Sequence, residues 1–69
     1  MSLSHRLTAA AIVEKGLLAE LRETRERFNR AESLEDMRRE AEHLKELWRQ
    51  FGEVVETVAK LRKQVEAST

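Results

Sequence analysis

The residues of this chain that could do chemistry are its two histidines and the acids beside one of them. Glu40 and His43 lie three positions apart in the run Glu40-Ala41-Glu42-His43, a spacing that puts both side chains on one face of a helix. Di-iron bundles hold metal with this pair, but they need the pair twice and two further glutamates. Here it occurs once, so we predict a surface histidine, no metal and no cofactor.

The second histidine lies near the start of the chain, in the run Ser4-His5-Arg6-Leu7-Thr8. This run resembles the phosphoacceptor box of histidine-kinase dimerisation domains, which are dimeric helical hairpins of similar length. Ser4, His5 and Leu7 carry the resemblance, whereas Arg6 replaces the acid that usually follows the histidine. The resemblance implies histidine phosphotransfer on His5 as an alternative function; the competing interpretation is an exposed histidine at a helix start.

The remaining motifs of catalysis and ligand binding are missing from the sequence. It has no Cys, only two Gly, and no Gly-rich phosphate loop or Ser-His-Asp arrangement. Thirteen basic and thirteen acidic residues cancel, and the arginines at positions 22, 25, 27 and 30 alternate with glutamates. A basic footprint needs an unopposed stripe. We therefore predict no enzyme, no small-molecule substrate, no nucleic acid and no membrane.

Length and composition predict a single helical domain that needs help to be stable. The chain has 69 residues, no Pro and 38% charged residues, a composition typical of long helices. Its longest apolar run, residues 9–13, is far shorter than a membrane span, and the expected location is cytoplasmic. Chains this short bury little surface, and without Cys a disulfide cannot compensate. Oligomerisation or a partner remains.

Apolar spacing predicts two helices that pack along a heptad seam. We expect an all-α antiparallel hairpin over 1–69, with a helix at about 4–29, a link at about 30–33 and a helix at about 34–67. Ser33 followed by Asp36 is typical of a helix start, and Asn29 is a candidate left-handed terminator. One continuous helix is the alternative. The expected seam of the second helix consists of Leu34, Met37, Ala41, Leu44, Trp48, Phe51, Val55, Val58 and Val65.

The apolar stripe of the second helix is broader than one neighbour can cover. We therefore predict that the hairpin forms a homodimeric four-helix bundle or captures an amphipathic helix of a partner, with Trp48 and Phe51 as anchors. An alternative is a small adaptor or co-chaperone, similar in size and layout to the helical-hairpin co-chaperones that shield secretion subunits. The predicted interface consists of Leu44, Leu47, Trp48, Phe51, Val54, Val55, Val58 and Leu61.

Overall fold

The computed structural model describes residues 2–68, which form two long helices packed side by side. Helix α1 spans Leu3–Arg30 and helix α2 spans Leu34–Ser68. The molecule measures 53 × 16 × 14 Å, and its long dimension matches the length of about 52 Å that a helix of 35 residues has at 1.5 Å per residue. The all-α hairpin is therefore confirmed, and the single continuous helix is wrong.

A serine begins each helix. The Ser2 hydroxyl accepts a hydrogen bond from the His5 N–H at 3.2 Å, and the Ser33 hydroxyl accepts one from the Asp36 N–H at 3.1 Å. Each bond satisfies one of the N–H groups that a helix leaves without a partner in its first turn. The predicted start of the second helix at Ser33 is confirmed.

The end of α1 differs from the prediction. Asn29 lies inside the helix, and no residue from 2 to 68 has a positive φ. The turn comes instead at Ala31, whose backbone is extended (φ −63°, ψ 132°) and whose N–H donates to the Phe28 carbonyl at 3.2 Å. The extended Ala31 and then Glu32 lead to the Ser33 cap and reverse the chain without a left-handed residue, so neither Gly nor Asn is required at this point.

The buried seam of α1 has the predicted spacing of alternating three and four residues. It includes two residues that are not apolar, the half-buried Glu14 and the fully buried Thr24. The Thr24 hydroxyl accepts a hydrogen bond from Arg27 Nη2 at 2.9 Å, and Arg27 Nε donates to Glu40 Oε2 at 3.2 Å. This polar layer links α1 to α2 near the turn. The seam consists of Leu3, Leu7, Ala10, Glu14, Leu17, Leu21, Thr24, Phe28 and Ala31.

The predicted seam of α2 consists of two columns of residues, each with a spacing of seven along the chain, and one of these columns is wrong. Leu34, Trp48 and Val55 are exposed, and the buried positions lie one residue earlier along the chain, as at Leu47 and Leu61. The other column is correct from Leu44 onward. The observed seam consists of Glu40, Leu44, Leu47, Phe51, Val54, Val58, Leu61 and Val65, and the exposed Met37 continues its spacing toward the turn.

Electrostatics explain which column packs inside. The predicted column that contains Trp48 also contains Arg62. In the seam, the charge of Arg62 would lie among apolar side chains, where an unpaired charge is costly. The chosen column includes one charged residue, Glu40, and Arg27 of α1 pairs with it at 3.2 Å. Leu47, Val54 and Leu61 fill the rest of this column. The indole of Trp48 is left at the edge of the interface.

Neither glycine of the helices marks a close approach between them. A Cβ atom built on Gly16 or Gly52 meets no atom within 4 Å. We therefore expect Gly16→Ala and Gly52→Ala each to raise the free energy of unfolding by about 0.5–1 kcal/mol, because Ala loses less backbone entropy in a helix. Thermal unfolding followed by circular dichroism measures the change. The exposed Ala19→Gly is the reverse control, and a loss of stability in both Ala variants would contradict the expectation.

Candidate functional site

The most unusual surface feature of the hairpin is an exposed tryptophan. Trp48 keeps 59% of its accessible surface, although the neighbouring Leu47 keeps 3%. Its ring meets that of the half-buried Phe51 edge to face, with centroids 5.8 Å apart and planes at 84°. This arrangement holds the indole against the hairpin while leaving most of it uncovered. A large aromatic surface held in this way is typical of an interaction site.

Trp48 borders a groove between the helices, which we call the tryptophan groove. It encloses about 490 Å³ and is lined on its apolar walls by Leu18, Leu21, Phe28, Leu44 and Trp48. A second depression of about 450 Å³ lies toward the open end and shares Leu18 with the first. From Leu7 to Phe28 the two extend along α1 for about 30 Å. They form one continuous apolar track on one side of the hairpin.

The structure divides the eight predicted interface residues into three groups. Leu47, Val58 and Leu61 are buried against α1 and are not available to a partner, because the packing of the hairpin uses them. Leu44, Phe51 and Val54 are half-buried in the seam, and Leu44 also lines the groove. Trp48 and Val55 are exposed. The sequence prediction did not include the contribution of α1, above all that of Leu18.

Charged residues that are close together in the sequence lie on different sides of the hairpin. The residues that directly follow a seam residue form the groove side of each helix, as Leu18 follows Leu17 and Trp48 follows Leu47. Arg22 and Arg25 lie on this side and line the groove. Arg27 lies on the opposite side and binds Glu40. The alternation of arginines with glutamates along the sequence therefore does not extend to the groove side of α1, where Arg22 and Arg25 lie.

The residues that follow the seam on the groove side of the two helices include six basic residues and one acid, Glu66, at the end of α2, and the seam residue Glu14 also lines the second depression. All six basic residues are exposed. The ion pairs described for residues 2–68 involve none of them, since these pairs lie at the back and on the opposite side of the hairpin. A chain with no net charge thus presents a positive groove. The six residues are Lys15, Arg22, Arg25, Arg38, Lys45 and Arg62.

The ion pairs on the back of the hairpin use only part of what the sequence offers. Four glutamates lie four residues before an Arg or Lys that could pair with them, at positions 23, 26, 35 and 56, and of these Glu26 with Arg30 and Glu56 with Lys60 form ion pairs. The arginines of the other two pairs bind different acids. Arg27 reaches across to Glu40, and Arg39 binds Asp36. Exposed pairs of this kind stabilise a helix by only a few tenths of a kcal/mol.

The carboxyl group of Glu46, on the outer surface of α2, has a strongly lowered pKa. Arg49 donates two hydrogen bonds to its carboxylate, at 2.6 and 3.1 Å, and Gln50 donates a third at 3.1 Å. Chiefly because of the bonds from Arg49, the pKa of Glu46 falls from 4.5 to about 2. Hydrogen bonds to the charged form of a carboxyl group favour that form.

This shift predicts a pH dependence with a definite sign. The stabilisation by Glu46 is complete above pH 4.5 and is lost as the pH falls toward about 2, because the folded chain resists protonation of this group. We expect a carboxyl NMR titration of Glu46 with a midpoint near pH 2. In the Arg49→Gln control the midpoint should rise. A midpoint near 4.5 in the unmodified chain would show that the pair does not form.

The histidines lie apart from the groove and from each other. His5 is exposed in the first turn of α1, at the open end, and His43 is exposed on α2 near the turn. Glu40, the proposed companion of His43, is in the seam and bound to Arg27. Within residues 2–68, no three His, Asp or Glu side chains come together in a way that could hold a metal ion.

Two further observations complete the description of the surface. Neither described helix combines the length and the apolar character needed to cross a bilayer. Comparison of the chain with family models, with curated proteins and with solved structures gave no match. The groove and its charges are therefore the observations on which a functional proposal can rest.

Proposed function

We propose that this chain is a non-enzymatic interaction module that binds an amphipathic helix of a partner protein in the tryptophan groove. The observation that carries the proposal is the exposed ring of Trp48 beside the apolar walls formed by Leu18 and Leu44. An amphipathic helix laid along a hydrophobic groove is a recurring mode of recognition. The track of about 30 Å suits a bound helix of about 20 residues.

A third helix in the groove would complete the packing of the hairpin. Two helices cover only one stripe of each other, whereas α2 has a third apolar column that includes Trp48 and Val55. A wide apolar stripe is stable in water when a second neighbour covers it. The adaptor or co-chaperone role is one biological form that this function could take.

The second candidate function is homodimerisation as a four-helix bundle. The observation that favours it is apolar exposure outside the groove, at Val13, since a two-fold contact could bury this residue on both copies at once. Phosphotransfer on His5 remains the candidate from another class. Its exposed position permits the chemistry, and acid-labile phosphate on His5 after incubation with a kinase and ATP would support it.

The experiment that tests helix capture uses the single tryptophan as a reporter. We would titrate the full chain with a synthetic helical peptide of about 20 residues, without Trp, with leucines on one face and glutamines beside them. Binding should shift the Trp48 emission to shorter wavelength as the ring leaves water. Light scattering measures the mass of the free chain across micromolar dilution.

The two measurements separate the candidates. A monomer that binds the peptide with a tryptophan shift supports helix capture. A stable dimer whose Trp48 is already shielded, and which ignores the peptide, would replace helix capture by homodimerisation. A folded monomer that does not respond to the peptide would contradict both proposals.

A further inference from the structure

The positive charge around the tryptophan groove restricts what can occupy it. We infer that the bound helix is acidic, with Asp or Glu residues on both sides of its apolar face; this inference rests on the function proposed above. Six basic residues follow the groove, and Arg22 and Arg25 form part of its wall. Opposite charges across an interface fix the register of two partners and select between them.

Both helices contribute to this positive rim. On α1, Lys15 and Arg22 are two turns apart, and Arg25 lies between Leu18 and the turn. On α2, Arg38 and Lys45 occupy the corresponding positions before Trp48. A helix in the groove would thus have basic residues on either side along its length, so acids on only one of its edges would leave the other basic row without partners.

The ion pairs described for residues 2–68 lie away from this rim. Arg49, on the outer surface of α2, is bound by Glu46 and Glu53, each at 2.6 Å, and Arg27 is bound by Glu40. No such pair is described for the six rim residues among positions 2–68. Their charge is available to a ligand, and the segregation of charge is a property of the folded hairpin rather than of its composition.

The same charge argues against a second copy of this chain as the occupant. A two-fold contact through the groove would place the basic rim of one copy, which includes Arg22, Arg25 and Lys45, against the same basic rim of the other. Like charges facing each other across an interface oppose association. An acidic partner has the opposite effect, so the groove selects against self-association and in favour of another protein.

The shape of the site favours a helix over the two other acidic surfaces, a membrane and a nucleic acid. The apolar walls are recessed between two helices and enclose about 490 Å³, whereas an interfacial membrane helix presents a projecting apolar face. Single-stranded nucleic acid is held by successive aromatic side chains. Phe28 also lines the groove but is half-buried in the seam, so Trp48 is the one exposed aromatic side chain among residues 2–68.

The test compares three peptides that share one apolar face and differ in the residues beside it. These residues are Glu in the first peptide, Gln in the second and Lys in the third. We expect the Glu peptide to bind about tenfold more tightly than the Gln peptide and the Lys peptide more weakly than either. The advantage of the Glu peptide should shrink as salt concentration rises, because salt screens exposed charges.

Charge reversal in the protein provides the matched control. The double variant Arg22→Glu, Arg25→Glu should reverse the preference, binding the Lys peptide more tightly than the Glu peptide. The variant Arg6→Glu, Lys63→Glu makes the same change in net charge away from the groove and should keep the original preference. A second reversal on α2, Arg38→Glu with Lys45→Glu, tests the other edge. Circular dichroism confirms that each variant is folded.

The outcomes distinguish this inference from the proposed function. Equal binding of the three peptides, all with a Trp48 emission shift, would overturn the acidic partner and leave helix capture standing. No binding of any peptide would overturn helix capture itself. A Trp48 shift with phosphatidylserine vesicles or with single-stranded RNA, but not with the Glu peptide, would assign the positive groove to a membrane or to nucleic acid and overturn the inference.

Discussion

Replacing Leu47 by Ala is expected to remove much of the free energy of unfolding of the chain. Leu47 keeps only 3% of its accessible surface and packs in the middle of the seam of α2. Truncating a buried Leu to Ala costs about 2–5 kcal/mol, because it removes apolar contacts and leaves a cavity. Small domains often have a total stability of about 5 kcal/mol. Urea unfolding followed by far-ultraviolet circular dichroism measures the loss.

The adjacent residue provides a stringent control for this prediction. Trp48→Ala removes more atoms than Leu47→Ala, yet we expect it to change the free energy of unfolding by less than about 1 kcal/mol, because Trp48 is 59% exposed. If Trp48 were buried in the seam, as the sequence predicted, its truncation to Ala would cost several kcal/mol. If the two variants lost equal stability, the assignment of Leu47 to the seam and of Trp48 to the surface would be wrong.

The second large effect concerns binding rather than folding. Trp48→Ala should weaken binding of the acidic-edged peptide by about thirtyfold or more, since an aromatic anchor at the centre of an interface contributes about 2 kcal/mol or more. Trp48→Phe should retain part of the affinity. Titration calorimetry measures it, because the variants lack the fluorescent reporter. The expected result is a folded chain that has lost its ligand.

An exposed residue away from the groove serves as the binding control. Val13 lies on the opposite side of α1 and is 51% exposed. Val13→Ala should leave peptide affinity unchanged if binding depends on the groove, and should weaken it if the peptide adheres to any exposed apolar surface. Unchanged affinity in Trp48→Ala would contradict the tryptophan groove as the binding site.

Several features of this hairpin follow directly from the order of its residues. Helical composition, the start of α2 at Ser33 and the seam of α1 are local properties, since capping bonds span three residues and heptad spacing is read within one helix. The helix end near Asn29 was predicted with the wrong mechanism. The turn depends on an extended Ala31, a conformation that any residue can adopt and that therefore leaves no signature.

The placement of Trp48 could not be derived from the sequence of α2 alone. This helix has three adjacent apolar columns, and any two neighbouring ones satisfy the heptad spacing. Which two columns pack against α1 depends on the side chains of α1. Arg27 of α1 pairs with Glu40 and so lowers the cost of burying it, whereas packing the other column would bury Arg62. That interaction joins residues far apart in sequence, so only the packed hairpin reveals which apolar residues remain exposed.

The sequence by itself determined the two helices, the position of the break between them and an apolar stripe on α2 that is wider than its seam. The tertiary structure alone decided the charge of the site. Two antiparallel helices bring one side of each into a common groove, and this places Arg22 and Arg25 of α1 beside Trp48 of α2 while turning Arg27 away. Charges that cancel along the chain are thereby separated in space, because each helix assigns consecutive residues to different sides.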